Sequence, residues 1–427
     1  MSTSAVSVDR CVPALIIKIG RYPLHHGGVG AIRTLGRVGV PVYAITEDRF
    51  TPAALSRYCQ GRFVLPTTGR EDPQELVESI TDIGRRLGRR AVAIPTDEEA
   101  AVLLAEHARD LSPYFLFPQI GPCLPRKLAS KRGLYELCAA HGVPAPSSAF
   151  PATPRELGAF ASHAAFPVVA KNLEAWVRRS APAVPGTTLL ATAGELLALA
   201  PGWGKTPSVI LQEYLPREHA EDWIVHLYCD ANSDCLARFT GVKVRAWPPH
   251  AGMTACAIVM ANPDLAEMAV QFCKDIGFRG IADMDWRFDR RDGRYKLVDF
   301  NPRVGAQFRL FETTAGIDVV RALHLDLTGR SVPAAHQVDG RRLVVEIIDL
   351  PARLAYRHSG YAVRSVPRGA TSTEFAWAAR DDPLPFLVML VRFAKPVAEH
   401  LRRLWRLRAA RRRATSSAAR SQGVSTQ

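Results

Sequence analysis

The first third of the sequence alternates short β-type runs with segments of helical periodicity, and this alternation constrains the fold more than any other feature. The helical segments include residues 73–88 and 98–109, where apolar residues recur every three or four positions. Chains that alternate β and α elements form parallel sheets covered by helices on both faces. We therefore expect a parallel sheet, whose five predicted strands are PALIIKIG, VPVYAIT, GRFVLPTT, RRAVAIPT and YFLFPQI.

The loop after the first predicted strand contains Gly27, Gly28 and Gly30 ahead of a helix. This spacing resembles a dinucleotide-binding fingerprint, but Arg33 stands where the third glycine of that fingerprint belongs. A tight turn is therefore the favoured interpretation of the glycines.

Two other polar stretches of this region have structural explanations. In PTDEEA, residues 95–100, Thr96 and Glu99 have the spacing of a capping box, which accounts for the acids without catalysis. His25 and His26 lie in the glycine-containing loop and could meet a substrate, but solvated loop histidines are the more common case. Neither stretch is assigned a catalytic role.

Length and composition bound the possible classes of protein. At 427 residues the chain is longer than a domain with a single hydrophobic core usually is, so two or three domains are expected. Eight scattered cysteines without a CxxC pair favour a reducing cytoplasm, and neither a secretory signal nor a run of roughly 20 apolar residues is found.

The net charge of +14 lies mostly in residues 392–420, where ten Lys or Arg and one Glu give +9. The nearly neutral body argues against nucleic acid as a partner.

A row of polar residues begins in KLVDFNPRVGAQFR, residues 296–309. If this run starts as a strand, Asp299, Asn301 and Arg303 share one face while Val298 and Phe300 share the other. A strand with one solvated face is the alternative, and it would make the polar residues interchangeable. A carboxylate with an amide oxygen suits a hard cation such as Mg²⁺, and a neighbouring arginine suits a phosphate.

Two further predicted strands carry charges with the same spacing. GIADMDWRFD places Asp283 and Asp285 on one face, and a charged hairpin then leads back to Asp299. FTGVKVRAWPP places Lys243 and Arg245 on one face, near these acids. Acids offered by two adjacent strands favour a functional site over chance alternation.

The order of these segments resembles the ATP-grasp superfamily, in particular its bacterial carboxylate-amine ligase-like members. The resemblance covers about residues 120–330 and is carried by a lysine-bearing helix and by FPVVAKN, LQEYLP, KVRAWPP, GFRGIADMDWRFD and DGRYKLVDFNPRVG. It implies an α/β Rossmann-like parallel-sheet domain followed by a two-subdomain α+β ATP-grasp fold. The predicted organisation is a disordered start at 1–12, the Rossmann-like domain at 13–120, the ATP-grasp domain at 121–330, an extension at 331–383 and a basic helical tail, disordered at its end, at 384–427.

The resemblance also implies a function. ATP, with Mg²⁺ or Mn²⁺, would convert a small carboxylate into an acylphosphate that reacts with a small amine; a homodimer is left open. A non-catalytic ATP-binding protein on the same fold is the alternative, since fold does not fix function. The full set of predicted metal ligands favours the enzyme. Biotin carboxylation would require bicarbonate and biotin residues that we cannot identify in the sequence.

Individual residues receive roles from the resemblance. Arg303 would neutralise the transferred phosphoryl group, and Lys243 with Arg245 would meet an acidic acyl substrate or a phosphate. Of Glu221 and Asp222, Asp222 is favoured as the ribose ligand. The remaining implied contacts are Asp285, Asp299 and Asn301 to the metal, Lys131 and Lys171 to the ATP phosphates, and Gln212, Glu213 and Leu215 to adenine.

Two segments call for separate expectations. In EAWVRRSAPAVPGTTLL, residues 174–190, relatives have a glycine- and serine-rich phosphate loop; here Arg178 and Arg179 would substitute for backbone amides, or catalysis would be slower. The tail begins with LPFLVMLV at 384–391 and continues as a cationic stretch containing Trp405. Such a helix suits peripheral contact with an anionic membrane from the cytoplasmic side. Packing of the helix against the body is the alternative.

Overall fold

The computed structural model describes residues 8–22, 25–173, 183–184, 186–203, 208–249, 252–358 and 372–394. The strands of this part of the chain form three sheets, of five, four and seven strands. None of its helices is both long enough and apolar enough to cross a bilayer. Val8 is buried, and Asp9 Oδ2 lies 3.4 Å from Arg330 Nη2. The disorder predicted for residues 1–12 therefore does not extend over residues 8–12.

The first sheet contains β1 (Ala14–Ile17), β2 (Val42–Thr46), β3 (Cys59–Val64), β4 (Ala91–Pro95) and β5 (Phe115–Leu116), with α1 (His26–Gly36), α2 (Pro73–Leu87), α3 (Glu98–Glu106) and α4 (Ala108–Leu111) between strands. All neighbouring strands are parallel, in the order β3-β2-β1-β4-β5, which confirms the predicted parallel sheet. The strand order reverses between β1 and β4. In open parallel sheets such a reversal leaves a crevice at the carboxyl ends of the strands.

The second sheet is small and antiparallel. It contains β6 (Ser148–Ala149), β7 (Val168–Asn172), β8 (Thr187–Leu190) and β9 (Val209–Glu213) in the order β6-β9-β7-β8. Helices α7 (Pro154–His163) and α8 (Ala193–Leu199) share a hydrophobic cluster with this sheet, whereas α5 (Leu124–Ala129) and α6 (Lys131–Ala140) precede it in the chain and pack against the third sheet.

The third sheet contains β10 (Ala220–Cys229), β11 (Cys235–Trp247), β12 (Met253–Val259), β13 (Gly280–Asp289), β14 (Arg294–Asn301), β15 (Arg341–Val344) and β16 (Ser372–Phe375), with α9 (Pro263–Asp275), α10 (Val319–Leu327), α11 (Glu346–His358) and α12 (384–394). Its strand order is β14-β13-β10-β11-β12-β15-β16. Strands β15 and β16 lie in the predicted extension, yet they continue the same sheet. The boundary placed at residue 330 therefore does not separate two sheets.

A shared hydrophobic core fixes the first sheet against the third. Leu35 of α1 belongs to the same buried cluster as Phe239 of β11 and Met389 of α12. The chain leaving β14 also meets the end of β4, where Val304 N donates to Pro95 O at 3.2 Å. The carboxyl edge of the first sheet therefore lies beside the end of β14.

The three glycines near the start of the chain lie within α1 and not in a turn before it. A Cβ on Gly27 would stand 3.0 Å from Ala306 Cα, and a Cβ on Gly30 would stand 3.0 Å from Phe308 Cε1. The tight-turn interpretation is therefore wrong, because glycine at these positions allows α1 to pack closely against the chain that follows β14.

Candidate active site

Polar side chains of β10, β13 and β14 meet on one face of the seven-stranded sheet. In the antiparallel ladder Asp285 is opposite Asp299, and Asp283 is opposite Asn301. His226 of β10 is also opposite Asp283, and its Nε2 lies 3.0 Å from Asp283 Oδ1. Directly opposed residues share a face, with Cβ atoms about 4.5–5.5 Å apart. The sheet therefore brings together the acids noted on the two strands.

A β-bulge in β14 produces this alignment. Asp285 pairs with Asp299, but the next residue of β13, a tryptophan, pairs with Leu297, which leaves Val298 as the extra residue. Leu297 and Phe300 are buried in the core, whereas Val298 is half-buried. The expectation that Val298 and Phe300 share the apolar face is therefore wrong.

The opposed carboxylates of Asp285 and Asp299 would repel each other without a cation beside them. Burial raises the pKa of Asp285 above its ordinary value, although Lys243 Nζ, 2.8 Å from Oδ1, acts in the opposite direction. Burial also acts to raise the pKa of Asp299, but its ion pair with Lys131 keeps that pKa below the ordinary value. Each of the two acids therefore has a lysine partner.

The two lysines predicted to contact ATP reach the acids from outside the seven-stranded sheet. Lys131 is the first residue of α6, and Lys171 lies on β7. Burial and the charge of Lys131 lower the pKa of Lys171 to about 8, although Asp299 acts to raise it. Arg178 and Arg179 lie outside the described residues.

The donor set of this face suits a hard divalent cation. Asn301 Nδ2 donates to Asp283 O at 3.3 Å, which leaves Asn301 Oδ1 available as a ligand beside Asp285 and Asp299. Two carboxylates and one amide oxygen match the few protein ligands that Mg²⁺ accepts. Over the described residues no group of three or more His, Cys, Asp or Glu could hold a metal by itself. A metal here would therefore also depend on the amide oxygen and on oxygens of a bound nucleotide.

Arg303 follows β14 and is held from two sides. Its Nη1 donates to Asp283 Oδ2 and its Nη2 donates to Glu98 Oε1, both at 2.8 Å. Burial acts to lower the pKa of Arg303, but these two carboxylates raise it above its ordinary value. Burial likewise acts to raise the pKa of Asp283, but His226 and Arg303 hold it at about 2. Arg303 is therefore a fixed cation next to the acids.

Sequence reasoning missed Glu98, because PTDEEA was explained by helix capping alone. The N-cap of α3 is Asp97, whose side chain accepts from Ala100 N at 2.9 Å, so the assignment of the cap to Thr96 is wrong. Thr96 Oγ1 instead donates to Ile17 O at 3.1 Å. The available signal was the position of the acids directly after a strand of a parallel sheet, where ligand-binding residues concentrate.

Lys243 and Arg245 have different partners. The ladder between β11 and β12 is irregular on both sides of Arg245. Lys243 joins the acids through Asp285, whereas Arg245 Nε donates to Asp349 Oδ1 of α11 at 2.7 Å, and Asp349 also accepts from Arg353. The structure therefore contradicts the expectation that both cations face the acids, because the guanidinium of Arg245 binds Asp349 of α11.

The predicted adenine contacts lie on β9 and directly after it. Leu215 is buried, and Gln212 Nε2 donates to Ser148 Oγ at 3.0 Å. Glu213 accepts from Lys296 Nζ at 3.0 Å, so its carboxylate is engaged within the protein. Both polar side chains are thus engaged within the protein, so the two candidates stay open.

The two candidate ribose ligands lie on opposite faces of β10, as successive strand residues must. Glu221 Oε2 accepts from Trp223 Nε1 at 3.2 Å, on the face away from the acids. Asp222 shares the face of Asp285 and lies 3.3 Å from Arg287 Nε. This placement favours Asp222, as the sequence does.

The histidines at the start of α1 are not solvated loop residues. His25 is the N-cap of α1, and its Nδ1 accepts from Gly28 N at 3.2 Å. Burial lowers the pKa of His25 well below its ordinary value and the pKa of His26 to about 4. The expectation of exposed loop histidines is therefore wrong, because His25 and His26 begin α1 and are half-buried.

A protein family and a known enzyme resemble parts of this sequence, and the matched family includes strands β13 and β14 of this face. Residues 233–326 match a family described as carbamoyl-phosphate synthase L chain, ATP binding domain. D-aspartate ligase from Enterococcus faecium is 25% identical over 248 residues, which cover 55% of this chain and 58% of that ligase. The chain thus spans less than two thirds of the length of this relative.

Solved structures show the same fold. L-amino acid ligase from Bacillus licheniformis has a TM-score of 0.56 at 14% identity, over 75% of each chain. The biotin carboxylase domain of 2-oxoglutarate carboxylase from Hydrogenobacter thermophilus, solved with MgADP, ADP and bicarbonate, has a TM-score of 0.56 at 15% identity, over 78% of this chain and 72% of that one. Residues 233–326 are thus similar to a family of ATP-binding domains, and the fold of the chain is similar to the folds of these two enzymes.

Proposed function

We propose that the protein is an ATP-dependent ligase that activates a carboxylate as an acylphosphate and joins it to an amine. One observation carries the proposal: Asp285 and Asp299 face each other on one sheet, and Lys131, Lys171 and Lys243 converge on them. Acids alone would suit a metal and lysines alone would suit an anion. The combination suits a nucleotide whose phosphates are bound to a metal.

The proposed reaction uses both kinds of charge. One oxygen of the substrate carboxylate attacks the γ-phosphorus of ATP, the bond to the β–γ bridging oxygen breaks, and ADP leaves. Lys131 and Lys171 would bind the phosphates as point charges and hold them in line for this attack. Mg²⁺, when bound by Asp285, Asp299 and Asn301, would neutralise charge on the phosphate oxygens. The amine then attacks the acyl carbon, and inorganic phosphate departs with the carboxylate oxygen.

Arg303 would act on the group in transfer. Its guanidinium is already oriented by Asp283 and Glu98, so it needs no reorganisation when negative charge develops. In the proposal it binds oxygens of the transferred phosphoryl group and, later, of the tetrahedral intermediate.

The proposed substrates include an amino acid. Two of the similar proteins are a D-aspartate ligase and an L-amino acid ligase, and both names specify amino-acid substrates. A screen of carboxylate and amine pairs, amino acids among them, for substrate-dependent ADP release from MgATP tests the proposed activity. A non-catalytic ATP-binding protein would bind ADP and release none above background with any pair.

We also propose peripheral contact with anionic membranes through α12 and the residues that follow it. Leu384, Leu387, Leu390 and Val391 of α12 are exposed, while Met389 is fully buried in the core. The tail residues after 394, including Trp405, lie outside the described residues. Because Met389 belongs to the core, a truncation that tests the tail must fall after residue 394. Loss of sedimentation with anionic vesicles in that truncated protein is the expected result, and unchanged sedimentation contradicts a role for the tail.

A further inference from the structure

The carboxylate of Asp283 brings together side chains from three parts of the chain. Its Oδ2 accepts from Arg303 Nη1 at 2.8 Å, and its Oδ1 accepts from Gln307 Nε2 at 3.2 Å. His226 Nε2 lies 3.0 Å from the same Oδ1. Because Asp283 is only 3% exposed, these side chains rather than bulk water compensate its charge. Rotation of a buried carboxylate away from such partners leaves polar groups unsatisfied, so its orientation is fixed.

His226 lies at the border between the acid face and the hydrophobic core. Its side chain is fully buried, and the centroid of its ring is 4.9 Å from that of Phe311, a member of the core cluster. Neither ring nitrogen makes a well-aligned hydrogen bond within the described residues. An apolar side chain would fill this position without burying polar atoms. The approach of Nε2 to Asp283 is therefore the feature that accounts for an imidazole here.

Gln307 lies in the segment that follows β14, on the far side of Gly305 from Arg303. This segment passes directly over His226 and Asp283. A Cβ on Gly305 would stand 2.5 Å from His226 Cε1 and 2.6 Å from Asp283 Oδ2. Glycine at position 305 therefore allows Arg303 and Gln307 to reach the same carboxylate. The glycine that ends the polar row of this segment thus has a packing role beside Arg303.

The backbone of Asp283 is also fixed. Strand β13 is paired on both sides, with His226 of β10 and Asn301 of β14 directly opposite Asp283. Rotation of the side chain is then the movement left to the carboxylate, and the contacts at Oδ1 oppose it while Oδ2 is directed to Arg303. The orientation of the Arg303 guanidinium thus depends on the residues that hold Oδ1.

We propose that His226 and Gln307 are positioning residues for Arg303 and act through the carboxylate of Asp283. The inference rests on the role proposed above for Arg303, which is to bind oxygens of the transferred phosphoryl group. A guanidinium that is already oriented meets this charge without reorganisation. Loss of a contact at Oδ1 lets Asp283 rotate, and Arg303 then binds the phosphoryl group less tightly. Binding of ADP, which lacks that group, is unaffected.

The test compares two nucleotides bound to the full-length protein, by calorimetry. One is MgADP, and the other is the magnesium complex of β,γ-imido-ATP, which keeps a γ-phosphoryl group but is not hydrolysed. Gln307→Leu removes one donor to Oδ1 from a half-buried side chain. Its matched control is Gln271→Leu on the exposed face of α9, where Gln271 Nε2 donates to Asp275 Oδ1 at 2.7 Å.

We expect Gln307→Leu to bind the imido analogue roughly fivefold more weakly than the wild type does, because Arg303 is no longer held. Its affinity for MgADP should stay within about twofold of the wild type, since ADP does not reach Arg303. The control variant should match the wild type with both nucleotides.

A second pair of variants tests His226. The amide nitrogen of glutamine can occupy the place of imidazole Nε2, whereas that of the shorter asparagine falls nearer the place of Nδ1. His226→Asn should therefore weaken analogue binding roughly fivefold, and His226→Gln should stay within about twofold of the wild type. Both variants bury an amide, so a loss caused only by burial of a polar group would appear equally in both, which would contradict the positioning role of His226.

The effect must also pass through Arg303. In an Arg303→Lys background, Gln307→Leu and His226→Asn should cause no further loss of analogue binding. An unchanged ratio of the two affinities in Gln307→Leu, or an equally large loss in the Arg303→Lys background, overturns the proposal. The expected losses in a protein that joins no carboxylate to any amine would support the positioning role and contradict the ligase activity alone.

Discussion

The polar face of the seven-stranded sheet and the carboxyl edge of the first sheet both place carboxylates beside cations, but they do so by different means. On the seven-stranded sheet, Asp285 and Asp299 come from regular strands, and the ladder sets them opposite each other. At the edge of the first sheet, Glu98 comes from the start of a helix and reaches Arg303 from another sheet. The first arrangement can be predicted from the alternation of polar and apolar residues along each strand, whereas the second forms only when the two sheets pack together.

This difference also separates two kinds of function. Residues on paired strands have little freedom to move relative to each other, which suits metal and phosphate chemistry. Residues that follow the strands of a parallel sheet belong to connecting segments, where binding specificity commonly resides. The paired strands of the acid face therefore suit the proposed nucleotide chemistry better than the sheet edge does.

The largest predicted effect concerns the acid face. Asp299→Asn should lower MgATP-dependent ADP release about 10³-fold, because one charged metal ligand and the partner of Lys131 are lost together. Steady-state assays measure the effect, with the exposed Asp264→Asn as the control. Activity within threefold of the wild type would show that Asp299 does not hold the metal.

The next largest effect is expected at Arg303 and Glu98, which link the two regions. Arg303→Lys keeps the charge but cannot span Asp283 and Glu98 with a planar fork, so kcat should fall roughly 100-fold. Glu98→Gln should cost roughly tenfold, because Glu98 acts through the orientation of Arg303. The double variant should be no slower than Arg303→Lys alone. Additive losses would indicate that Glu98 acts independently of Arg303.

A pH titration distinguishes Lys171 from an ordinary surface lysine. Its lowered pKa, about 8, means that its charge is lost as the pH rises through 8, well below the range in which an exposed lysine titrates. Affinity for ADP without added metal should therefore fall up to about tenfold between pH 7 and pH 9. Lys171→Arg should flatten this pH dependence, and an equally steep decrease in that variant would assign the titration to another group.

The smallest effect on activity is expected at Arg245. Its partner Asp349 belongs to α11, so Arg245→Gln should leave kcat within about threefold while lowering the free energy of unfolding by roughly 1–3 kcal/mol. Lys243→Gln, which removes the partner of Asp285, should instead reduce turnover by at least tenfold. Equal losses of turnover in the two variants would restore the expectation that both cations face the substrate.

The sequence predicts regular features of this molecule and misses those that depend on irregular backbone or on packing. Alternation on two strands is enough to group Asp285 with Asp299, and the alternating β and α segments are enough for the parallel sheet. The bulge at Val298 and the irregular ladder around Arg245 change which side chains are neighbours, and neither has a local sequence signal. Glu98 could not be paired with Arg303 because they are 205 positions apart, one at the start of α3 and the other just after β14.

The most direct test of the central claim follows one oxygen atom through the reaction. The carboxylate substrate found by the ADP-release screen is labelled with ¹⁸O in its carboxylate group, and the released phosphate is analysed by mass spectrometry. Activation through an acylphosphate predicts one ¹⁸O atom in each phosphate formed during ligation, because the carboxylate oxygen that attacked the γ-phosphorus leaves with it. Phosphate without ¹⁸O, at the same yield of ligated product, would contradict the proposed mechanism.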